Sequence, residues 1–235
     1  MMDTITSTLL EQASAMNTHG VCILANGNNE LQAMDIFKDA LMLVSKANQQ
    51  GDDIVNASFG TVPIHLVALC LSNPSQIGDC QDGPFVMKKA FAISSPLIPN
   101  TVAARAGVSA VIIFNLAVIY HHWAKRSGPS SSAMLIKASK MYQMGLDLLL
   151  QHQGDDDAAV VTTDLAAVAL ACWNNQACLQ ACEFASHAKA CDLFQLLGEA
   201  MERVIIPAHL VSNNDIVNMH YNVLMGAYMS HAGAA

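Results

Sequence analysis

The sequence predicts a mainly α protein: an irregular array of about three helical hairpins plus a C-terminal capping helix, with a small inserted β-ribbon. Three observations predict it. One Ala-and-aromatic spacing recurs in three places along the chain. The stretch between the first two occurrences carries strand and turn residues instead of a helical period. Finally, 53% of the 235 residues are hydrophobic and only 13% are charged, which excludes a disordered chain. The whole of 1–235 reads as one domain, with repeat-like units at about 12–48, 106–152 and 160–202.

In the first unit, Asn17-Thr18-His19-Gly20 leads to Leu24 and a Gly27-Asn28-Asn29 turn, and Ala33, Phe37, Ala40 and Leu41 follow at i, i+4, i+7, i+8. In the second, Phe114-Asn115-Leu116-Ala117 leads to Tyr120, and Ala138, Tyr142, Gly145 and Leu146 repeat the same series. The third is looser: Trp173-Asn174-Asn175-Gln176-Ala177, a break near Phe184–Ser186, then Ala190, Phe194, Leu197 and Gly198. Small residues (Gly20, Ala117, Ala177) let the first helix of a pair approach the second, where Ala33, Ala138 and Ala190 lie opposite. The aromatic one turn later fills the gap to the next hairpin, so a unit cannot bury its stripe alone.

Residues 51–100 interrupt the array. Val62–Cys70 and Pro84–Ile93 are β-capable, and the SNPSQIGDCQDG between them is turn chemistry, so an inserted two-stranded ribbon is expected. An isolated hairpin is marginal and has to pack on the helices or on a partner. A second insertion, Lys125–Ser132, reads as a flexible loop. The terminal helix, about 213–230, is expected to be capped by Asn213 or Asn214 and to turn Val217, Tyr221, Leu224 and Tyr228 toward the array.

The order N-L-A-x-x-Y followed by A-x-x-x-Y-x-x-G-L resembles the tetratricopeptide repeat (TPR). Together with the Asn-rich, alanine-terminated last helix, it is similar to a large family of uncharacterised TPR-like proteins of diatoms. The resemblance covers most of the chain. It implies a concave surface built from the first helices of each pair, and it carries no biochemical activity with it.

Charge and hydropathy narrow the classes further. With 11 Lys+Arg against 19 Asp+Glu and a formal net charge of −8, an electrostatic grip on nucleic acid or an anionic membrane is excluded. Gly107–Ala124 is long and uncharged, but Asn115 interrupts it and Tyr120, His121 and His122 occupy its last turns. Leu165–Cys182 carries Asn174, Asn175, Gln176 and Gln180. Both read as core helices and not as membrane spans. The N-terminal residues have acids at Asp3 and Glu11 and no early basic residue, so neither a signal nor a transit peptide is expected. Seven cysteines then read as free thiols in the cytoplasm or nucleus.

Four residues have the composition of a zinc site. Cys178-x3-Cys182-x4-His187-x3-Cys191 places two i, i+4 pairs on consecutive helices, and such a set can in principle bind tetrahedrally. The competing reading is that cysteine serves where a packed hairpin otherwise uses Ala. His121 and His122 point about 100° apart on a helix and cannot chelate together, so capping a helix end is their expected use. Asp155-Asp156-Asp157 reads as capping acids before the next helix. No nucleophile elbow, phosphate loop or dinucleotide fingerprint occurs, so no catalytic residue and no cofactor is assigned.

The expected function is a non-enzymatic interaction scaffold or adaptor, possible as a subunit of a homo- or hetero-oligomer. Its groove would be lined by Asn17, Val21 and Leu24 from the first unit and Val111, Phe114, Val118, His121 and His122 from the second. The Lys and Arg residues with which TPR clamps hold acidic chaperone tails are absent from those positions, which favours an apolar or mixed partner. The alternative is a small enzyme or zinc protein using the Cys178/Cys182/His187/Cys191 cluster.

Overall fold

A computed structural model describes residues 2–27, 29–50, 64–71, 84–95, 98, 100–127, 131–151 and 164–232. The described helices are α1 (Met2–Ala25), α2 (Glu30–Gln50), α3 (Val102–Ser127), α4 (Ser132–Leu150), α5 (Asp164–Cys182), α6 (His187–Arg203) and α7 (Asn213–Ala232). Two strands, β1 (Leu66–Cys70) and β2 (Lys89–Ile93), form an antiparallel ribbon in which Leu66 faces Ile93 and Cys70 faces Lys89. The chain is therefore mainly α with a small β-ribbon, as the sequence predicts.

The helices pair as α1/α2, α3/α4 and α5/α6, and α7 packs on α6. Consecutive pairs meet through α2 against α3 and α4 against α5, which makes a stacked array. The Ala-and-aromatic series explains the contacts. Ala33, Phe37 and Ala40, then Ala138, Tyr142 and Leu146, then Ala190, Phe194 and Leu197 are all buried on the second helices. Gly20 is required on α1 because a Cβ there would lie 2.7 Å from the Phe37 ring. At the turn between α1 and α2, Gly27 takes a positive φ of 70° and the Asn29 side chain accepts the Gln32 N–H.

α3 and α5 are buried on nearly all sides because each has helices on both flanks and α3 also carries the ribbon. Among the described helices, α3 is long and apolar enough to cross a membrane, yet 89% of its most apolar window is buried inside the fold. Its aromatic core is continuous: Phe91 of β2 meets Phe114 at 5.2 Å between ring centroids, and Phe114 meets Tyr142 at 5.9 Å.

Several expectations are corrected. The expected loop at Lys125–Ser132 is narrower, since Lys125, Arg126 and Ser127 form the last turn of α3 and Ser132 opens α4. Lys125 and Arg126 stay helical because they complement the carboxyl end of the helix dipole and pair with Glu183 and Glu30. The turn expected between the strands and the three aspartates at 155–157 lie outside the described residues.

The largest correction concerns α7. Val217, Tyr221, Leu224 and Tyr228 do not face the array; they are 64%, 58%, 68% and 76% exposed. The inward face is Asp215, Met219, Asn222 and Gly226 instead. Gly226 faces inward because a Cβ would come within 2.7 Å of Phe194 Cβ, an approach only glycine permits. Ser212, not Asn213 or Asn214, caps the helix: its N–H and hydroxyl donate to Asp215 Oδ2, and its Oγ accepts the Asp215 N–H.

Gly226→Val is expected to cost about 1–3 kcal/mol through overpacking against Phe194. Leu224→Ala, on the outer face, is expected to stay within about 0.5 kcal/mol. Chemical denaturation followed by circular dichroism on dilute protein compares the two.

Candidate binding groove

The faces of α1, α3, α5 and α7 that look away from the second helices each present asparagine. Asn17, Asn115, Asn174, Asn175 and Asn222 are completely buried. An amide side chain carries a C=O acceptor and N–H donors, the kinds of group a peptide unit has, so it can close a hydrogen-bonded ring with one residue of an extended chain. That is what these side chains do to residues 85–93.

Asn115 Oδ1 accepts the Phe91 N–H at 2.9 Å, and Asn115 Nδ2 donates to Phe91 O at 2.9 Å. Asn17 Nδ2 donates to the same carbonyl, and Asn115 Nδ2 also donates to Asn17 Oδ1. Asn175 grips Met87 in the same way, accepting its N–H at 2.8 Å and donating to its carbonyl at 3.0 Å. Asn222 grips Phe85 at 2.8 and 2.7 Å, with Asn174 Nδ2 and the Cys178 thiol donating to the same carbonyl. Thr18 Oγ1 donates to Ile93 O at 2.7 Å.

In an extended chain the N–H and C=O of residue i point one way and those of residue i+1 the other. The odd-numbered residues 85, 87, 91 and 93 turn theirs toward the helices. The opposite edge faces β1, where Leu71 N–H donates to Lys88 O and Ser94 N–H to His65 O. The expected second strand, Pro84–Ile93, is therefore extended throughout, but only Lys89–Ile93 is ladder. Before the ladder begins, Phe85 and Met87 bond to asparagine in place of a strand. Lys89 adds an ionic anchor, donating to Asp215 Oδ2 at 2.5 Å. Burial pushes the Asp215 carboxyl up, but hydrogen bonds from Lys89 and Ser212 outweigh it and hold the group below its ordinary value.

Beside the ribbon lies a cavity of about 550 Å³. The end of α3 contributes Val118, His121, His122 and Lys125 to its wall. The ribbon adds Lys88 and Lys89, and α5 and α7 add Cys182 and Tyr221. Of the expected groove residues, Val118, His121 and His122 thus reach the cavity. Asn17 is covered by the ribbon, Phe114 stacks on Phe91, and Val21, Leu24 and Val111 are buried in the core. Basic side chains do reach this region, from the ribbon and the last turn of α3, positions outside those expected to carry them. Lys125 pairs with Glu183 and Lys89 with Asp215.

The two histidines are used differently. His122 Nδ1 lies 2.8 Å from Glu30 Oε1, and Arg126 reaches the same carboxylate at 3.1 Å. Those two partners, the His122 hydrogen bond first, hold the Glu30 carboxyl below its ordinary value against the opposing effect of burial. His121 is buried, with Nδ1 3.4 Å from the Tyr142 hydroxyl. Burial, then the neighbouring Lys125, lowers its pKa to about 3. The Tyr142 hydroxyl accepts from Asn175 Nδ2 at 3.2 Å, and burial pushes its own pKa upward.

The Cys178/Cys182/His187/Cys191 set is not gathered. Among the described residues, no group of three or more His, Cys, Asp and Glu side chains is placed to hold a metal. Cys178 is buried against Phe85 O, Cys191 donates to Gly226 O, and Cys182 and His187 are exposed. Burial raises the Cys178 thiol well above its ordinary value and keeps it protonated.

Of the residues that matter most here, Asn17 is among the expected groove residues, whereas Asn115, Asn174 and Asn175 are read from sequence only as parts of the repeats and Asn222 is not read at all. Their signal was an uncharged polar residue inside an apolar helix, two or three residues before the small residue of the pair in α3 and α5. The chain matches no protein-family model, no curated protein and no solved structure.

Replacing Asn175 with Ala strands the buried N–H and C=O of Met87, each worth about 1–3 kcal/mol when left unpaired. Asn175→Ala is therefore expected to lose about 2–5 kcal/mol in denaturant unfolding, well beyond the cost of Gln143→Ala on the surface. For His121 the unfolded chain takes up a proton near pH 6.5, whereas the folded chain does so only near 3. Between those values the unfolded state binds more protons, so stability falls as pH is lowered from 6.5. His121→Phe is expected to flatten this fall between pH 6.5 and about 5, above the main carboxylate range, as read from denaturation midpoints.

Proposed function

We propose that this protein is an interaction scaffold of the tetratricopeptide-like kind, working in a reducing compartment and holding a short segment of a partner protein in the cavity beside its ribbon. The observation that carries this reading is that cavity, left open where the ribbon, the end of α3 and the start of α7 diverge. The asparagine row on α1, α3, α5 and α7 grips main-chain N–H and C=O groups, the part of an extended chain that does not depend on its side chains. The protein's own residues 85–93 occupy that row. The adjoining cavity, with apolar Val118 and Tyr221, aromatic histidines and lysine–carboxylate pairs in its wall, offers an amphipathic site of a size that suits a few side chains of a partner segment. An apolar or mixed partner fits such a wall better than a uniformly charged one.

The reading is tested by selecting from a displayed random-peptide library against the full chain. A recurrent peptide family is expected, and its affinity is expected to fall at least about tenfold (1.4 kcal/mol) in Cys182→Trp, which places an indole in the mouth of the cavity. No enriched family, or binding untouched by that substitution, counts against the proposal.

A further inference from the structure

The outer face of α7 is the one extended apolar stripe that the array leaves uncovered among the described helices. Val217, Tyr221, Leu224 and Tyr228 are spaced 4, 3 and 4 residues apart and are all more than half exposed. Elsewhere, exposed apolar side chains such as Met42, Ile136 and Met144 are scattered over α2 and α4, and isolated ones require no partner.

The spacing decides what kind of surface fits. Alternating steps of four and three are the 3.5-residue repeat that brings one helix seam against another helix, with each side chain entering a gap between four on the partner. Charge narrows the choice further. The chain carries a net charge of −8, which opposes the approach of a second copy over most of its surface. On α7, Asp215 is the sole Asp, Glu, Lys or Arg, and it faces inward against Lys89, while His220 is exposed beside the outer face. The outer seam is thus a surface where two copies meet without like-charge repulsion.

Area is sufficient. Two exposed tyrosines with a leucine and a valine present on the order of 500 Å² per copy. A pair would bury about 1,000 Å², the size of a weak, reversible interface. One patch meeting itself is also the arrangement that closes at two copies.

We infer that α7 is a self-association surface on which the α7 seam of a second copy packs, giving a closed dimer. Tyr221 belongs both to the seam and to the wall of the cavity, so the seam is tested at Leu224 and Tyr228, which do not line the cavity.

Sedimentation equilibrium of the full chain from about 1 to about 100 µM is expected to show a monomer–dimer equilibrium obeying mass action. The double variant Leu224→Glu/Tyr228→Glu is expected to weaken it at least tenfold, and Met144→Glu, on exposed α4 surface, to leave it unchanged. Both substituted α7 side chains lie in solvent, and the thermal melt of the dilute double variant checks that the fold persists. A monomer throughout that range, association that survives the double variant, or open-ended polymers in place of dimers would each overturn the inference.

Discussion

The fold depends on a substitution of one kind of hydrogen-bonding partner for another. β2 has two edges. One is satisfied by β1, and the other is buried against helices, which have no free backbone groups along their sides to offer. A buried, unpaired strand edge is prohibitive, because each orphaned N–H or C=O costs roughly 1–3 kcal/mol. Asparagine amides on α1, α3, α5 and α7 take the place of the missing third strand, one peptide-like group for each outward-facing residue at 85, 87 and 91. The positions of the helices are tied to this requirement, since each must bring its amide to the pitch of an extended chain.

The same constraint accounts for features that look unrelated in composition. α3 and α5 have polar residues at their centres and are nonetheless core helices, because those residues face the ribbon and not solvent. The scarcity of charge, 13% of the chain, follows in part from an array whose first-helix face is covered by its own strand. An open groove would need a solvated lining; this one is lined by Asn17, Asn115, Asn175, Asn222 and Phe114 in contact with the ribbon. What remains open is the short region where the ribbon, the end of α3 and the start of α7 diverge, and the ionisable groups collect there.

How much of this could be read from sequence depended on whether a residue's partner was local. The hairpins were legible because Ala33/Phe37, Ala138/Tyr142 and Ala190/Phe194 are set by helix periodicity and pack on neighbours in the chain. The ribbon was legible through its Pro- and Gly-bounded β-capable runs. The clamps were not, because Asn115 and Asn222 bond to residues 24 and 137 positions away, and no local pattern marks such a pairing. α7 shows the limit of periodicity most clearly. Its Asp215, Met219, Asn222, Gly226 and its Val217, Tyr221, Leu224, Tyr228 have identical spacing and lie on opposite faces. Apolarity alone points to the outer set, and only the need to bond Phe85 and admit Phe194 turns the inner set toward the core.

The reach of the ribbon changes what kind of folding unit this array is. In an ordinary repeat array each hairpin touches only its neighbours, so the ends can fray while the middle stands. Here Ile93 is held by Thr18 on α1 and Phe85 by Asn222 on α7, so the nine residues from 85 to 93 link the first helix to the last. Neither terminal helix can detach without baring polar groups in the centre of the molecule. The strand acts as a tie rod through the stack, and the array should gain or lose its structure as a whole, at the kinetic cost of having to close its longest loops before the rod is in place.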